Sequence, residues 1–201
     1  MYIIHRFDYG TPIEETMKAL HDLVQAGKVR YLGASSMWAT QFAQMQALAE
    51  RRGWTPFISM QNLHNLLYRE EEREMMRFCA ATGVSLTPYS TNFGGKLLRP
   101  VGSAEEAKSV RAKTPAPFGN ELTEADKEVI GRVEKVAGDK GWTMMQVVMA
   151  WQRAKGTIPI VGFNSVARVQ EAAGFRGKEL ANEEIKFLEE PYVPKNVMAH
   201  V

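Results

Sequence analysis

The chain has 201 residues, of which 45% are hydrophobic and 24% charged, with 25 Lys and Arg against 23 Asp and Glu. This length favours one domain, and a net charge of +2 without a basic run gives no reason to expect a nucleic-acid partner. The single cysteine, Cys79, excludes an intrachain disulfide, and its helix-like surroundings predict a buried, inert thiol. The apolar stretches are shorter than the roughly 20 residues of a membrane span, and no basic leader precedes residues 1–4. We therefore expect a cytoplasmic protein without a membrane partner.

The first third of the chain alternates between apolar segments and amphipathic stretches. A short apolar run begins at Tyr2 and ends on His5. Thr11 is predicted to cap a helix with apolar residues at helical spacing, which Gly27 ends. A strand is then predicted to begin near Val29, and the stretch WATQFAQMQALAERRG predicts a second helix.

The same alternation continues to the carboxyl end. Strands are predicted to begin near Phe57, Val84 and Ile158, and REEEREMMRFCAATG predicts a helix whose three glutamates form a solvated first turn. A Gly- and Pro-rich segment at about 91–120 predicts a long loop, and residues 190–201 a tail. Four further helices are predicted to begin at capping residues, namely Thr123, Thr143, Ser165 and Asn182. Five strands alternating with helices predict an α/β fold with parallel strands.

Polar or small residues follow every predicted strand. They are His5, then Ser35 and Ser36, then Gln61 and Asn62, then Tyr89 and Ser90, and finally Gly162 and Asn164. In parallel α/β proteins, ligands bind beyond the carboxyl ends of the strands. The sequence therefore places its polar side chains where a binding site is expected.

Several motifs together resemble a known family. The segments YIIHRFD, TPIEETMKALHDLVQAGKVRYLGASSM, SMQNLHNLLYREEEREM, TPYS and IPIVG resemble the second half of an aldo-keto reductase. The resemblance extends to the branch of fungal aryl-alcohol dehydrogenase-like and polyketide-toxin reductases, and it covers the whole chain, 1–201, as one partial domain. It implies an incomplete (β/α)8 TIM barrel that comprises strands four to eight with their helices, and NADPH-dependent reduction of an aldehyde or ketone, with a role in fungal secondary metabolism.

The resemblance also implies residue roles at the nicotinamide end of NADPH. His5 matches the histidine that donates a hydrogen bond to the substrate carbonyl, although a strand-end histidine bonded to a backbone carbonyl is the alternative. Ser35, Ser36 and Gln61 match the residues that bind the carboxamide. The family often has asparagine at the Ser36 position, and Ser36 could instead cap the next helix.

Further roles are implied for the ring, the pyrophosphate and the adenosine end. Tyr89 matches an aromatic residue that stacks on the nicotinamide, and Ser90 lies next to the pyrophosphate. The adenosine end falls on the start of a helix, where N–H groups and the helix dipole favour phosphate. The residues concerned are Asn164, Ser165, Arg168, which would pair with the 2′-phosphate, and Glu171, which would contact the adenine. A solvated helix arginine is the alternative for Arg168.

The other histidines show no metal-ligand spacing, and no metal site is expected. His21 is predicted on the exposed side of a helix, and His64 in a loop facing solvent or substrate. A doubly wound dinucleotide-binding fold is disfavoured, because no G-x-G-x-x-G turn follows the first strand.

Two hypotheses about function remain open. In the first, the chain belongs to a carbonyl reductase whose first three strand–helix units, with the catalytic aspartate, tyrosine and lysine of the family, lie outside this sequence. No residue here matches those three. In the second, the chain is a non-catalytic remnant or an NADPH-sensing or partner-binding module. The open barrel edges predict an oligomer or aggregation.

Overall fold

Four short parallel strands form one sheet in the order of the chain. The structure is a computed structural model that describes residues 1–103 and 121–200. The strands are β1 at Tyr2–Ile4, β2 at Leu32–Ser35, β3 at Phe57–Gln61 and β4 at Ser85–Leu86. Ser35 and Gln61 are partners in the register of β2 and β3. The predicted parallel α/β arrangement is therefore confirmed for four strands.

Helices connect and follow these strands. They are α1 at Ile13–Gln25, α2 at Ala39–Arg52, α3 at Met75–Thr82, α4 at Glu124–Lys140, α5 at Met144–Ala154, α6 at Val166–Ala173 and α7 at Asn182–Glu189. Short 3-10 helices occur at Glu70–Glu72 and Phe93–Leu98. The second of these lies within the segment predicted as a loop at about 91–120, and residues 104–120 lie outside the described ranges.

Three of the five predicted helix caps are correct. Thr123, Thr143 and Ser165 each accept a hydrogen bond from a backbone N–H of the first helical turn. Thr11 does not cap α1, because Pro12 occupies the cap position; the Thr11 hydroxyl donates instead to the carboxylate of Asp8 at 2.7 Å. Asn182 is already the first residue of α7, where the preceding alanine occupies the cap position.

The fifth predicted strand, which was expected to begin near Ile158, is not formed. A backbone hydrogen bond of 2.8 Å runs from Ile160 to the carbonyl of Pro88 and joins two extended segments. Pro88 and Pro159 have no N–H to donate, so the two segments cannot build a regular ladder. The missing N–H groups of the two prolines therefore explain why the apolar segment after Thr157 does not form a regular strand.

The chain divides into two compact units. The first unit comprises Met1–Leu63, Glu70–Thr87 and Val197–Val201, and it contains the sheet with α1, α2 and α3. The second unit comprises His64–Arg69 and Pro88–Asn196, and it contains the remaining helices.

Each unit has a core of its own. In the first unit, Met17, Phe42 and Met60 are fully buried, and the ring of Phe42 stacks on that of Phe57 with the centroids 5.8 Å apart. In the second unit, α4 and α5 pack together around side chains such as Val133 and Trp151.

Three polar features that were predicted at the surface or in a loop are buried or partly buried instead. Glu70 and Glu71 are only 8% and 3% exposed, so the glutamates do not form a solvated first turn. His64 is fully buried, and its ring stacks on Trp151 with centroids 5.0 Å apart. His21, predicted on an exposed face, is partly buried with its Nδ1 3.1 Å from the hydroxyl of Thr55. These partners lie far away in sequence, which is why the local pattern did not reveal them.

Candidate functional site

The ends of β2 and β3 bring three of the predicted site residues together in the first unit. The hydroxyl of Ser35 donates to the backbone carbonyl of Gln61 at 2.6 Å, and the N–H of Ser36 donates to the same oxygen at 3.1 Å. Both serines are nearly fully buried. Ser36 does not cap α2, because the cap position belongs to Trp38, whose N–H donates to Gln41. These hydrogen bonds therefore hold the ends of β2 and β3 together at the candidate site.

The side chain of Gln61 lies at the end of β3, next to these two serines. It is partly exposed, and within the described ranges its amide group has no hydrogen-bond partner. A primary amide offers two donor hydrogens and an acceptor oxygen. The end of β3 can therefore form complementary hydrogen bonds with another amide group.

Two of the predicted site serines have unusual backbone conformations. The φ angle is +24° at Ser36 and +55° at Ser90, in the region that favours glycine. Such residues cost of order 1–3 kcal/mol and occur where the surrounding structure fixes them, often at binding sites. At Ser90, the carbonyl accepts from the side-chain amide of Asn65 at 3.0 Å and from the N–H of Phe93 at 2.9 Å. Both positions are thus held by contacts on neighbouring segments.

His5 lies exposed just beyond the end of β1. In the described part of the chain its imidazole has no hydrogen-bond partner, so it is not engaged by a backbone carbonyl. The imidazole is therefore accessible to a small molecule and can act as a hydrogen-bond donor or acceptor.

Arg6 is a site residue that the sequence analysis missed. Its guanidinium donates to the carbonyl of His5 and, from Nη1, to the hydroxyl of Ser35 at 3.2 Å. It thereby links the end of β1 to the end of β2. The sequence did contain a signal for Arg6, because it directly follows His5 at the end of β1. In a parallel sheet, the residues that follow the strands lie at the same edge, so Arg6 was expected near the ends of the other strands.

In the second unit, the start of α6 holds the residues predicted for the adenosine end. The hydroxyl of Ser165 accepts from the N–H of Arg168 at 3.4 Å, and the guanidinium of Arg168 donates to the side-chain oxygen of Asn164 at 3.0 Å. The first turn of a helix leaves several N–H groups without an intrahelical partner, and Ser165 engages one of them. Glu171 lies exposed later in the same helix. An arginine side chain is therefore held beside a helix N-terminus.

Tyr89 and Ser90 also belong to the second unit. Both are partly buried, and the carbonyl of the preceding Pro88 bonds the segment that leads to Asn164. The predicted residues thus form two sets, one at the strand ends of the first unit and one around α6 and the segment at Pro88 in the second.

Three further observations limit the chemistry of the described residues. Burial, with a smaller contribution from the charge of Glu71, raises the pKa of Cys79 to about 12, so the thiol is a poor nucleophile at neutral pH. Within residues 1–103 and 121–200, no three His, Cys, Asp or Glu side chains are grouped to hold a metal ion. No helix in these ranges is both long and apolar enough to cross a bilayer.

Comparison with known proteins identifies the family. The model of the aldo/keto reductase family matches residues 1–192. An aldo-keto reductase of Fusarium vanettenii is 48% identical over 204 residues, which cover 100% of this chain and 54% of the relative. The versiconal hemiacetal acetate reductase of Aspergillus parasiticus is 48% identical, with 96% of this chain and 57% of the relative covered. A putative aryl-alcohol dehydrogenase of Saccharomyces cerevisiae is also 48% identical, with 96% and 56% covered.

The chain belongs to the aldo/keto reductase family. It spans about half the length of the curated relatives it matches. The family match, together with the parallel strand–helix order, confirms the predicted fold class, part of a (β/α)8 barrel.

Proposed function

We propose that this chain carries the cofactor-binding part of an NADPH-dependent reductase that converts an aldehyde or ketone to an alcohol. The observation that carries the proposal is the Gln61 amide, which has no partner among residues 1–103 and 121–200, beside the fixed Ser35 hydroxyl at neighbouring strand ends. These groups are complementary to a carboxamide such as that of nicotinamide. The names of the relatives in Aspergillus and yeast favour an aromatic or polyketide-like substrate, and the single reduced thiol of Cys79 suits the cytoplasm.

Three residues of the first unit would bind the nicotinamide carboxamide. Gln61 can donate to its oxygen and accept from its NH2 group, and Ser35 can accept a further N–H. The constrained backbone of Ser36 sets the direction of the chain at this point. In the second unit, Tyr89 offers an aromatic ring of the kind that stacks on a flat heterocycle such as nicotinamide, because an offset aromatic contact is stabilising.

The start of α6 would bind the 2′-phosphate that distinguishes NADPH from NADH. Arg168 carries the charge, and the side chain of Asn164, which precedes the cap residue of α6, accepts from its guanidinium. The start of a helix favours phosphate through its N–H groups and its dipole. Glu171, exposed on the same helix, would contact the adenine, and Ser90 would lie near the pyrophosphate. A charge-assisted hydrogen bond to phosphate contributes about 1.5–3 kcal/mol.

His5 would orient the substrate carbonyl. When bound, NADPH supplies the hydride that the carbonyl carbon accepts, and the cofactor leaves as NADP+. The exposed imidazole of His5 would donate a hydrogen bond to the carbonyl oxygen, where negative charge develops. The proton that completes the alcohol comes in this family from a tyrosine that has no match here. We therefore assign catalysis to a longer protein, in keeping with the share of the relatives that this chain spans.

An NADPH-sensing module without catalysis is the second candidate. It is favoured by the presence of residues for both ends of the cofactor in a chain that lacks matches for the catalytic tyrosine, lysine and aspartate. Cofactor binding is common to both candidates, whereas turnover belongs to the reductase alone.

A titration of the purified 201-residue chain with NADPH, followed by nucleotide fluorescence, tests the cofactor assignment. We expect saturable binding that Arg168→Ala weakens about 10- to 100-fold, with little change for NADH. The matched control is Arg176→Ala, which removes the same charge from an exposed position of the second unit. Equal weakening by both variants, or no binding by the wild-type chain, would contradict the proposal.

Turnover is tested separately by following NADPH oxidation in the presence of an aromatic aldehyde. The 201-residue chain is expected to show none, while a longer protein that includes the family's tyrosine should be active and lose about 10²–10³ in kcat on His5→Ala. Turnover by the short chain that His5→Ala abolishes would show that the family tyrosine is not required. Full activity of the longer His5→Ala variant would refute the role of His5.

A further inference from the structure

Asn65 is a fully buried polar residue of the second unit, and the proposed function gives it no role. Its backbone exchanges two hydrogen bonds with Tyr68, at 3.1 Å and 3.0 Å, and its Oδ1 accepts from the N–H of Leu67 at 2.8 Å. Leu66, Leu67 and Tyr68 are themselves fully buried. The turn 65–68 is therefore closed by its own hydrogen bonds and anchored by its apolar side chains.

The side-chain amide of Asn65 reaches outside this turn. Its Nδ2 donates at 3.0 Å to the backbone carbonyl of Ser90, which lies 25 residues further along the chain in the same unit. The N–H of Phe93 donates to the same oxygen at 2.9 Å. A carbonyl oxygen has two lone pairs, and both are thus occupied at Ser90. The peptide group that follows Ser90 is therefore fixed in orientation.

Residues 90–95 form a turn, the Ser90 turn, whose backbone is unusual. The φ angle is +55° at Ser90 and +48° at Phe93, in the region that favours glycine. A residue with a Cβ atom persists in this region only where the surrounding structure holds it there. At Ser90, one of the two bonds that hold it comes from the turn itself and the other from Asn65.

The Ser90 turn leaves backbone N–H groups for a ligand. In the part of the chain that the structure describes, the N–H groups of Asn92 and Gly94 have no hydrogen-bond acceptor. Asn92, with φ −104° and ψ 9°, precedes the positive φ of Phe93. Such a succession turns neighbouring N–H groups towards a common anion. In the proposed function, the anion near Ser90 is the pyrophosphate of the cofactor.

We infer that Asn65 is a positioning residue, whose side-chain amide holds the Ser90 turn in the conformation that binds the pyrophosphate of NADPH. This inference rests on the proposed binding of NADPH. Because Asn65 is fully buried, it acts through Ser90 and not by contact with the nucleotide. Its effect is to order the turn before the cofactor arrives, which spares the cost of ordering it during binding.

A purely structural role for Asn65 makes a different prediction. If the residue only stabilised the second unit, its loss would weaken every ligand of that unit by the same factor. The proposed adenosine site at the start of α6 lies in the same unit and provides the comparison. Adenosine 2′-phosphate carries the groups assigned to this site but no pyrophosphate. The ratio of the affinities for NADPH and for adenosine 2′-phosphate therefore separates the two roles.

The test is a calorimetric titration of the 201-residue chain and its variants with both ligands. Asn65→Ala should bind NADPH about 3- to 10-fold more weakly, because the turn loses one hydrogen bond, and adenosine 2′-phosphate with unchanged affinity. The loss of NADPH affinity should be smaller in a Ser90→Gly background, because glycine adopts a positive φ without this tie. The matched control is Asn182→Ala, which removes the same amide from an exposed position of the second unit.

Each outcome has a distinct meaning. An equal effect of Asn65→Ala on both ligands, or none on NADPH, overturns the inference and leaves the proposed cofactor intact. A loss that is equally large in the Ser90→Gly background, or that also occurs in Asn182→Ala, overturns it as well. Absence of NADPH binding by the wild-type chain overturns both the inference and the proposed function. If circular dichroism shows that Asn65→Ala is unfolded, Asn65→Asp at pH 8, which keeps the acceptor for the N–H of Leu67 without the amide donor, replaces it under the same criteria.

Discussion

Nε2 of His200 lies 2.8 Å from Oε1 of Glu71, although 129 residues separate the two in the chain. The carboxylate is almost completely buried and also accepts from the side-chain amide of Asn62 at 3.3 Å. The imidazole of His200 packs edge-on against Trp38, with ring centroids 4.7 Å apart. These contacts explain why the last residues of the chain belong to the first unit.

We expect His200→Ala to destabilise the first unit by about 1–3 kcal/mol, because a buried carboxylate loses a partner. His200→Gln, which can still donate a hydrogen bond, should lose less. The free energy of unfolding in urea measures both effects. Two variants as stable as the wild-type chain would show that the carboxyl-terminal residues do not stabilise this unit.

The thiol of Cys79 should be unreactive in the folded protein. Burial, and then the charge of Glu71, raise its pKa from about 9 to about 12. The folded protein is thus stabilised fully below about pH 9, and this stabilisation is lost as the pH rises towards 12. At pH 8 we expect alkylation by iodoacetamide to be at least about a hundredfold slower than in the urea-unfolded chain.

Glu71→Gln provides the control for this prediction. It removes the smaller, electrostatic cause and leaves the burial, so the pKa of Cys79 should fall only modestly. Rapid alkylation of the folded wild-type chain at pH 8 would contradict the burial of Cys79.

The sequence was sufficient to predict those features that depend on local patterns. Strand–helix alternation and caps such as Thr123 and Thr143 follow from residues within one or two turns of each other. The sequence was insufficient where contacts between distant residues determine whether a side chain is buried or a strand forms. The burial of Glu71 depends on His200, and that of His64 on Trp151. The absence of the fifth strand depends on Pro88 and Pro159, which lie in segments that are far apart in the chain and are joined by the hydrogen bond from Ile160 to Pro88.

For the candidate site, too, local sequence patterns were informative, whereas contacts between distant residues could not be predicted. The resemblance predicted binding roles for Ser35 and Gln61, but only the structure shows that the Ser35 hydroxyl donates to the backbone carbonyl of Gln61. Arg6 directly follows His5 in the sequence, but its contact with Ser35 joins residues 29 positions apart, which a local pattern does not encode.

Thr11 should control the ionisation of Asp8. Its hydroxyl, and then the backbone N–H of Gly10, lower the pKa of the Asp8 carboxyl. A lowered pKa stabilises the folded chain above the pKa of the unfolded state, and this contribution is lost as the pH falls through the folded value. In Thr11→Val, a titration of the carboxyl carbon by NMR should show the pKa of Asp8 shifted upwards. An unchanged pKa of Asp8 in this variant would mean that the hydroxyl contact is absent in solution.

Gln152 should be essential for the stability of the second unit, because it links segments far apart in the chain. Its Nε2 donates to the backbone carbonyl of His64 at 2.8 Å, and its Oε1 accepts from the hydroxyl of Thr157 at 2.6 Å. The side chain is fully buried, so water cannot replace these bonds.

We expect Gln152→Leu to cost about 2–4 kcal/mol in urea unfolding, since it preserves the volume but deprives buried polar groups of their partner. Hydrogen exchange at the N–H of Leu67, which is bonded to Asn65, should accelerate in the same variant because the segment His64–Arg69 loses its tie to α5. Gln170→Leu, at an exposed position of α6, should change the stability by less than about 0.5 kcal/mol. If the two variants are equally stable, the buried amide is dispensable, and the stacking of His64 on Trp151 must hold this segment instead.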